Sequence, residues 1–195
     1  MEKCVTEPRP KLCLPIHEQT RFVLVHPHYP ENVGAAARAI KTMGFLGLDL
    51  VKPGRLANPD HEMARKMAVK SRDVLEAARV LPDLGAALDG VDLVVATTSR
   101  RGVSGVLGPR ELAPELARRS LQQQRIAILF GNEKTGLAAE IVASAERRLR
   151  VPMAGDQPSV NLAQATQLVA YELLLAALDL RGPLGDPAAL EKDLL

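Results

Sequence analysis

The chain has 195 residues, of which 47% are hydrophobic, and its formal net charge is only +2. This composition suits one folded domain with an ordinary core and excludes an intrinsically disordered chain. No apolar run is long enough to span a bilayer, no signal-peptide pattern opens the chain, and Cys4 and Cys13 do not suggest a disulfide framework, so we expect a cytoplasmic protein.

Strands and helices alternate along the chain after a proline-containing segment. We expect residues 1–20 to form a flexible arm, in which Pro15 and two earlier prolines interrupt regular structure, residues 21–181 to form the domain, and residues 182–195 a short tail. Strands are predicted at 22–26, 46–51, 91–96, 126–130 and 148–151, and helices at 32–43, 60–80, 82–88, 109–119, 137–145 and 161–178. This pattern predicts an α/β fold with a mostly parallel sheet of five or six strands and helices on both faces.

Positive charge is concentrated in one segment. Residues 99–125 contain six arginines, among them Arg100 and Arg101, but only two glutamates. Such a cluster is typical of a phosphate-contacting patch, and equally of a solvated helix face. Two tyrosines, three phenylalanines and no tryptophan are too few for a module that stacks single-stranded bases on aromatic platforms. Any bound RNA should therefore be held through its phosphates and its shape.

Three polar segments fall at strand-to-helix junctions, where open α/β proteins bind ligands. The central one, residues 129–137, reads Leu-Phe-Gly-Asn-Glu-Lys-Thr-Gly-Leu and follows a buried strand. Its two glycines allow a small molecule to approach the backbone closely. Residues 32–38 read Asn-Val-Gly-Ala-Ala-Ala-Arg, and residues 158–164 read Pro-Ser-Val-Asn-Leu-Ala-Gln. Each polar residue alone has an ordinary explanation as a helix cap or a solvated side chain, but the coincidence of three segments predicts one shared site.

The sequence argues against several other kinds of site. The turn after the first strand lacks the Gly-x-Gly-x-x-Gly pattern of dinucleotide-binding proteins, and the chain has no Gly-Lys-Ser/Thr of a P-loop. His26 and His28 have no cysteine pair beside them, so we expect no metal site. Ser159 has no histidine or aspartate nearby in the sequence, which leaves a catalytic triad unsupported.

On these residues the chain resembles the SPOUT superfamily of RNA methyltransferases, in its SpoU/TrmH-type branch. The resemblance extends from about residue 22 to about residue 180. The three motifs of this branch are matched by Asn32, Gly34 and Arg38, by Phe130, Gly131, Glu133, Gly136 and Leu137, and by Ser159, Val160 and Asn161. The first motif, together with Tyr171 and Glu172, looks most like the TrmJ-type subgroup of tRNA 2′-O-methyltransferases.

The resemblance implies a fold, a cofactor and partners. It implies a C-terminal trefoil knot, S-adenosylmethionine as cofactor, and a homodimer in which Arg38 reaches the cofactor site of the partner subunit. The expected reaction is methyl transfer to a ribose 2′-OH of RNA, most simply in the anticodon loop of tRNA. Alternatives are ribose methylation of rRNA, methylation of a base nitrogen, and an RNA-binding protein that has lost catalysis. DNA, a membrane and a metal ion are not expected to take part.

The resemblance also implies roles for individual residues. Arg38 would lie near the 2′-OH and a phosphate, where a cation stabilises a developing alkoxide. Glu133 would position the loop, and Ser159 and Asn161 would orient the substrate and Arg38, completing the catalytic set. Cofactor contacts are expected from Thr97, Thr98, Ser99, Leu129, Phe130, Gly131, Asn132, Glu133, Gly136, Val151, Pro152, Met153, Ser159, Val160 and Asn161, and substrate contacts from Asn32, Arg38, Arg100 and Arg101.

Overall fold

A seven-stranded parallel sheet forms the centre of the protein in a computed structural model that describes residues 12–181. Its strands are β1 (Thr20–Val25), β2 (Gly47–Val51), β3 (Arg79–Leu81), β4 (Leu93–Thr97), β5 (Val106–Leu107), β6 (Ile126–Phe130) and β7 (Arg147–Leu149). Their order across the sheet is β3-β2-β1-β6-β4-β7-β5, and all neighbours are parallel. The predicted α/β architecture is confirmed, with two more strands than the five that the sequence pattern located.

Helices cover both faces of this sheet. They are α1 (Pro15–Gln19), α2 (Pro30–Thr42), α3 (Glu62–Met67), α4 (Arg72–Glu76), α5 (Leu84–Leu88), α6 (Pro109–Leu121), α7 (Ala139–Ser144) and α8 (Leu162–Leu180). Alternate residues of β1 enter different cores, since Phe22 and Leu24 pack with α2, α6 and α8, whereas Val23 and Val25 pack with α5 and α7. Burial on both faces explains why the central strands are continuous apolar runs. None of the described helices is long and apolar enough to cross a membrane.

The helix predicted over residues 60–80 is wrong in its length. The structure divides this segment into α3, α4 and the edge strand β3, with Lys70 in a left-handed conformation (φ 57°) between the two helices. Strand β3 contributes little to the core, because Arg79 and Val80 are exposed. A short exposed strand has no apolar run that periodicity can detect, and the same holds for the two-residue strand β5.

The N-terminal segment was also predicted incorrectly in part. Pro15 begins α1 rather than interrupting regular structure, because proline is tolerated at the first position of a helix. Ile16 is fully buried, and Thr20 already belongs to β1. The rest of the predicted arm (residues 1–11) and the predicted tail (residues 182–195) lie outside the described residues. The trefoil knot stays a prediction.

A buried carboxylate joins the three strands at one side of the sheet. Asp49 on β2 is inaccessible to solvent and pairs with Arg21 on β1 and with Arg79 on β3, whose Nη2 lies 2.6 Å from Asp49 Oδ2. Burial by itself raises the pKa of this carboxyl, but the hydrogen bonds from Arg79 and Arg21 outweigh that effect and hold the pKa below its usual value. The ionised Asp49 therefore stabilises the register of β3, β2 and β1.

Candidate active site

The three polar segments meet at the carboxyl ends of the central strands. The loop after β6 carries residues 131–137, the loop after β1 leads into α2, and residues 158–161 precede α8. Strands β1 and β6 are direct neighbours, so the loops that follow them lie side by side. The shared site that the sequence predicts is therefore present as a spatial cluster.

A chain of hydrogen bonds joins one residue from each segment. The Glu133 carboxylate accepts hydrogen bonds from the backbone N–H groups of His28 (2.9 Å) and Tyr29 (3.2 Å) and from Asn32 Nδ2 (2.8 Å). Asn32 Oδ1 in turn accepts a hydrogen bond from Asn161 Nδ2 at 3.0 Å. Glu133, Asn32 and Asn161 thus hold the three segments in one geometry, although Asn32 and Asn161 are 129 residues apart in the sequence.

Asn161 has a second contact that orders the start of α8. Its Oδ1 accepts hydrogen bonds from the backbone N–H groups of Ala163 (2.9 Å) and Gln164 (3.3 Å), which makes it the N-cap of the helix. Asn32 does not cap α2, because that helix already begins at Pro30. This leaves both polar atoms of the Asn32 side chain free to bond Glu133 and Asn161.

The loop after β6 is closed by two glycines and Asn132. A Cβ atom at Gly131 would lie 2.1 Å from the backbone nitrogen of Leu137, so no other residue fits there without moving the loop. Gly136 adopts a left-handed conformation (φ 69°), and its N–H donates to the Asn132 carbonyl at 2.7 Å. Asn132 Nδ2 donates to the carbonyl of His26 at 2.6 Å, which ties this loop to the end of β1.

A first cavity of about 230 Å³ opens beside this loop. Its lining includes the apolar residues Leu149, Val151 and Leu162 and the hydroxyl-bearing residues Thr97, Thr98 and Ser99. The remaining lining residues are Arg100, Phe130, Gly131, Asn132, Glu133, Lys134, Thr135, Gly136, Leu137, Arg150, Met153, Pro158, Ser159, Val160 and Ala165. Such a mixture suits a ligand with a flat apolar part and several polar groups.

A second, more open cavity of about 450 Å³ adjoins the first. Tyr29, Glu31, Asn32 and Asn161 line only the second cavity, whereas Glu133, Ser159, Val160 and Leu162 line both. A ligand in one cavity therefore lies next to a ligand in the other. This arrangement is suited to a reaction between two bound molecules.

Most of the predicted site residues line one of the two cavities, but four do not. Leu129 is fully buried in β6, and its carbonyl accepts a hydrogen bond from Thr97 Oγ1 at 2.8 Å. Pro152 and Arg101 are exposed and line neither cavity. Arg38 is exposed on α2 and forms no ion pair with any residue in the range 12–181. It lies six residues after Asn32, so the two side chains project from different faces of the helix.

Two arginines shape the far end of the first cavity, and the sequence reasoning identified only one of them. Arg100 Nη2 donates to the Leu137 carbonyl at 2.9 Å, and the Arg150 guanidinium donates to the Arg100 carbonyl. Arg150 Nε is buried without a hydrogen-bond partner among the described residues. Its place in the sequence could have identified Arg150, because this residue directly precedes Val151, a predicted cofactor contact. Within residues 12–181, no three His, Cys, Asp or Glu side chains are grouped to hold a metal ion.

Comparison with known proteins identifies the family. Residues 19–171 match the model of the SpoU rRNA Methylase family. The chain is 40% identical over 154 residues to the protein described as uncharacterized tRNA/rRNA methyltransferase LasT of Escherichia coli (strain K12), covering 78% of this chain and 66% of that one. It is 35% identical over 177 residues to the tRNA (cytidine/uridine/adenosine-2′-O-)-methyltransferase TrmJ of Pseudomonas aeruginosa (strain UCBPP-PA14), covering 90% and 66%.

The fold agrees with this match. The chain is 35% identical in sequence to the protein in the crystal structure of TrmJ from Z. mobilis ZM4, and the two structures superimpose with a TM-score of 0.70. The superposition covers 88% of this chain and 73% of that one. The chain spans slightly less than two thirds of the length of the two curated relatives described above. The family match itself extends over most of the chain and includes all three polar segments that form the two cavities. The protein therefore belongs to the SpoU methylase family.

Proposed function

We propose that this protein uses S-adenosylmethionine to methylate a ribose 2′-OH of tRNA. The observation that carries the proposal is the hydrogen-bonded chain of Glu133, Asn32 and Asn161, which holds two adjoining cavities at the carboxyl ends of the strands. The printed activity of the P. aeruginosa relative supports the reaction and the substrate class. Such a substrate fits a cytoplasmic location.

The first cavity is the proposed cofactor site. Its apolar lining residues Leu149, Val151 and Leu162 suit an adenine ring, and the hydroxyl groups of Thr98 and Ser99 suit the polar groups of a ribose or an amino acid. Bound S-adenosylmethionine supplies a methyl group already activated by its sulfonium sulfur. The chain therefore needs no metal ion for this step, and its residues have only to bind, orient and exclude water.

The second cavity is the proposed site of the acceptor ribose. A ribose 2′-OH is a weak nucleophile at neutral pH, so the site must stabilise the negative charge that develops on its oxygen as its proton passes to solvent water. Ser159 lines both cavities, which supports a contact with the ribose, while Asn161 holds the backbone at the start of α8 and Asn32 links it to Glu133. Glu133 is already bonded to three donors, so we assign it a positioning role.

The cation that stabilises this charge is proposed to be Arg38 of the partner subunit. Arg38 is exposed and does not line the cavities of its own chain, which supports a role in a second copy. Helix α8 presents Leu168 and Tyr171 to solvent with 42% and 43% exposure, and such apolar side chains favour a homodimer. The proposed homodimer would bring each Arg38 to the other subunit's acceptor site.

The test combines cofactor binding with methyl transfer. Calorimetry with S-adenosylmethionine measures binding, and labelled cofactor with tRNA or rRNA in parallel measures transfer. A nuclease digest of the product then distinguishes 2′-O-methyl nucleosides from methylated bases. Label in 2′-O-methyl nucleosides of tRNA is expected. Label in rRNA alone, in a base, or no cofactor binding at all would contradict the proposal.

A further inference from the structure

A small cationic and aromatic group lies on the rim between the two cavities. It consists of His28, Tyr29 and Lys134, and we refer to it as the rim cluster. Lys134 Nζ lies 3.2 Å from His28 Nε2 and 5.7 Å from the centroid of the Tyr29 ring. The two rings meet edge to face, with centroids 4.7 Å apart. All three side chains are exposed to solvent.

The charge of Lys134 is not neutralised within the described part of the chain. It forms no ion pair there, and the adjacent Glu133 carboxylate is already bonded to His28, Tyr29 and Asn32. Its ammonium group instead faces an imidazole nitrogen and the face of a tyrosine ring. An exposed ammonium without a carboxylate partner among residues 12–181 remains available to an anion.

Further positive charge lies at the same edge of the sheet. The loop after β2 is tied to the loop after β1, because Gly54 N–H donates to the Pro27 carbonyl at 2.9 Å. This contact brings the exposed side chains of Lys52 and Arg55 to the edge that carries the rim cluster. Neither forms an ion pair with a residue in the described range.

The rim cluster also borders both cavities. Lys134 lines the first cavity, Tyr29 lines the second, and Glu133 lies between them and lines both. An RNA strand that places one ribose in the second cavity must continue past this rim. The nucleotide next to the acceptor would therefore meet a free ammonium and an exposed aromatic ring.

We propose that the rim cluster binds the nucleotide adjacent to the methylated one, with Lys134 contacting its phosphate and Tyr29 stacking on its base. This inference rests on the proposed function, because it takes RNA as the substrate. Lysine suits a phosphate contact as a mobile point charge, and one exposed tyrosine suffices to stack one base. A single stacked base is compatible with the scarcity of aromatic residues in the chain.

The test compares a charge-removing variant with a charge-retaining one. Lys134→Met and Lys134→Arg are assayed for methyl transfer to tRNA at several salt concentrations, and their affinity for tRNA is measured by fluorescence anisotropy. Lys134→Met should raise the KM and the Kd for tRNA roughly tenfold, with a smaller change in kcat. The slope of log Kd against log salt should fall by about 0.7, the value for one phosphate contact to a single strand. The Lys134→Arg variant should retain most of the tRNA affinity and of the salt slope of the wild type.

Tyr29→Ala tests the aromatic half of the subsite, and Arg72→Ala is the control. Loss of one stacked base should also weaken tRNA binding by roughly tenfold, but without changing the salt slope. Arg72 is exposed at the start of α4, where its neighbour Asp73 pairs with Lys41 near the end of α2; because α2 leads into the start of β2, Arg72 lies at the opposite ends of the strands from the rim cluster. Its removal takes away one positive charge and should leave the tRNA affinity and the salt slope unaltered.

The outcomes separate this inference from the proposed function. Wild-type protein that methylates tRNA, together with a Lys134→Met variant of unchanged Kd and salt slope, would overturn the subsite alone. Loss of S-adenosylmethionine affinity in Lys134→Met, measured by calorimetry, would assign the cation to the cofactor and also overturn it. Wild-type protein that binds tRNA without methylating it, while Lys134→Met weakens that binding, would support the subsite and contradict the proposed reaction.

Discussion

The Glu133→Gln substitution is the most direct test of how the site is assembled. The carboxylate accepts two backbone hydrogen bonds, from His28 and Tyr29, and one side-chain hydrogen bond from Asn32. A glutamine has one acceptor oxygen and one donor NH₂ group. If its oxygen faces Tyr29 and Asn32, its NH₂ group must face the N–H of His28, so one hydrogen bond is lost and two donors oppose each other.

The expected cost follows from this count. A hydrogen bond to a charged group contributes about 1.5–3 kcal/mol, and a neutral one about 0.5–1.5 kcal/mol. Losing one charged bond and weakening two others from charged to neutral would cost about 3.5–6 kcal/mol in a fully buried site. Glu133 is only partly buried, and water replaces some of the lost bonding, so we expect a cost of about 2 kcal/mol. For a domain of this size, that lowers Tm by roughly 4–8 °C.

Thermal unfolding and methyl transfer measure the two consequences. The variant should unfold earlier, and its kcat for tRNA should fall because the loop and Asn32 are no longer held together. Glu76→Gln is the matched control, since Glu76 is exposed at the end of α4 and its side chain forms no hydrogen bond within residues 12–181. A Glu133→Gln variant with the Tm of the wild type would refute the idea that this carboxylate assembles the site.

Three further predictions concern other parts of the molecule. Gly131→Ala should abolish S-adenosylmethionine binding in calorimetry, because its Cβ atom would lie 2.1 Å from the backbone nitrogen of Leu137; unchanged affinity would contradict the proposed cofactor site. Arg38→Ala should abolish methyl transfer with cofactor affinity nearly intact, and mixed dimers with a cofactor-site variant should regain part of the activity. Burial raises the pKa of Asp49, but the hydrogen bonds from Arg79 and Arg21 outweigh that effect and leave the pKa below its usual value, so the contribution of Asp49 to stability is present above about pH 4 and is lost as the pH falls through the lowered pKa. Asp49→Asn should flatten the acid limb of the unfolding free energy against pH, and an unaltered acid limb would show that the pair does not stabilise the sheet.

The central strands of the sheet could be predicted from the sequence, but the edge strands could not. Strand β6 was predicted with its observed bounds, and β1, β2 and β4 to within two residues, because each is a continuous apolar run between polar turns. The edge strands β3 and β5 have three and two residues and are only partly buried, so they have no such run. The break between α3 and α4 at Lys70 was also missed, because local helical periodicity does not reveal a left-handed residue.

The amino-acid sequence was sufficient to locate the three polar segments and to indicate that they form one site. Chemical type and spacing are local properties, and a strand followed by a glycine-rich turn identifies the ligand-binding edge of a parallel sheet wherever it occurs. The positioning role of Glu133 was implied by the family resemblance and not by this local reasoning. The sequence could not predict which backbone groups the carboxylate holds, since His28 and Tyr29 are over a hundred residues away along the chain.

Only the tertiary structure determined which residues of the site contact one another and which lie outside the cavities. It placed Asn32 between Glu133 and Asn161, left Arg38 outside the cavities of its own chain, and brought Lys134 beside His28 and Tyr29. These relationships depend on the order of the strands, which puts β1 next to β6. Hydrophobic patterning determines which segments become strands, but strand order is a property of the whole packed chain, and the distances between functional groups follow from it.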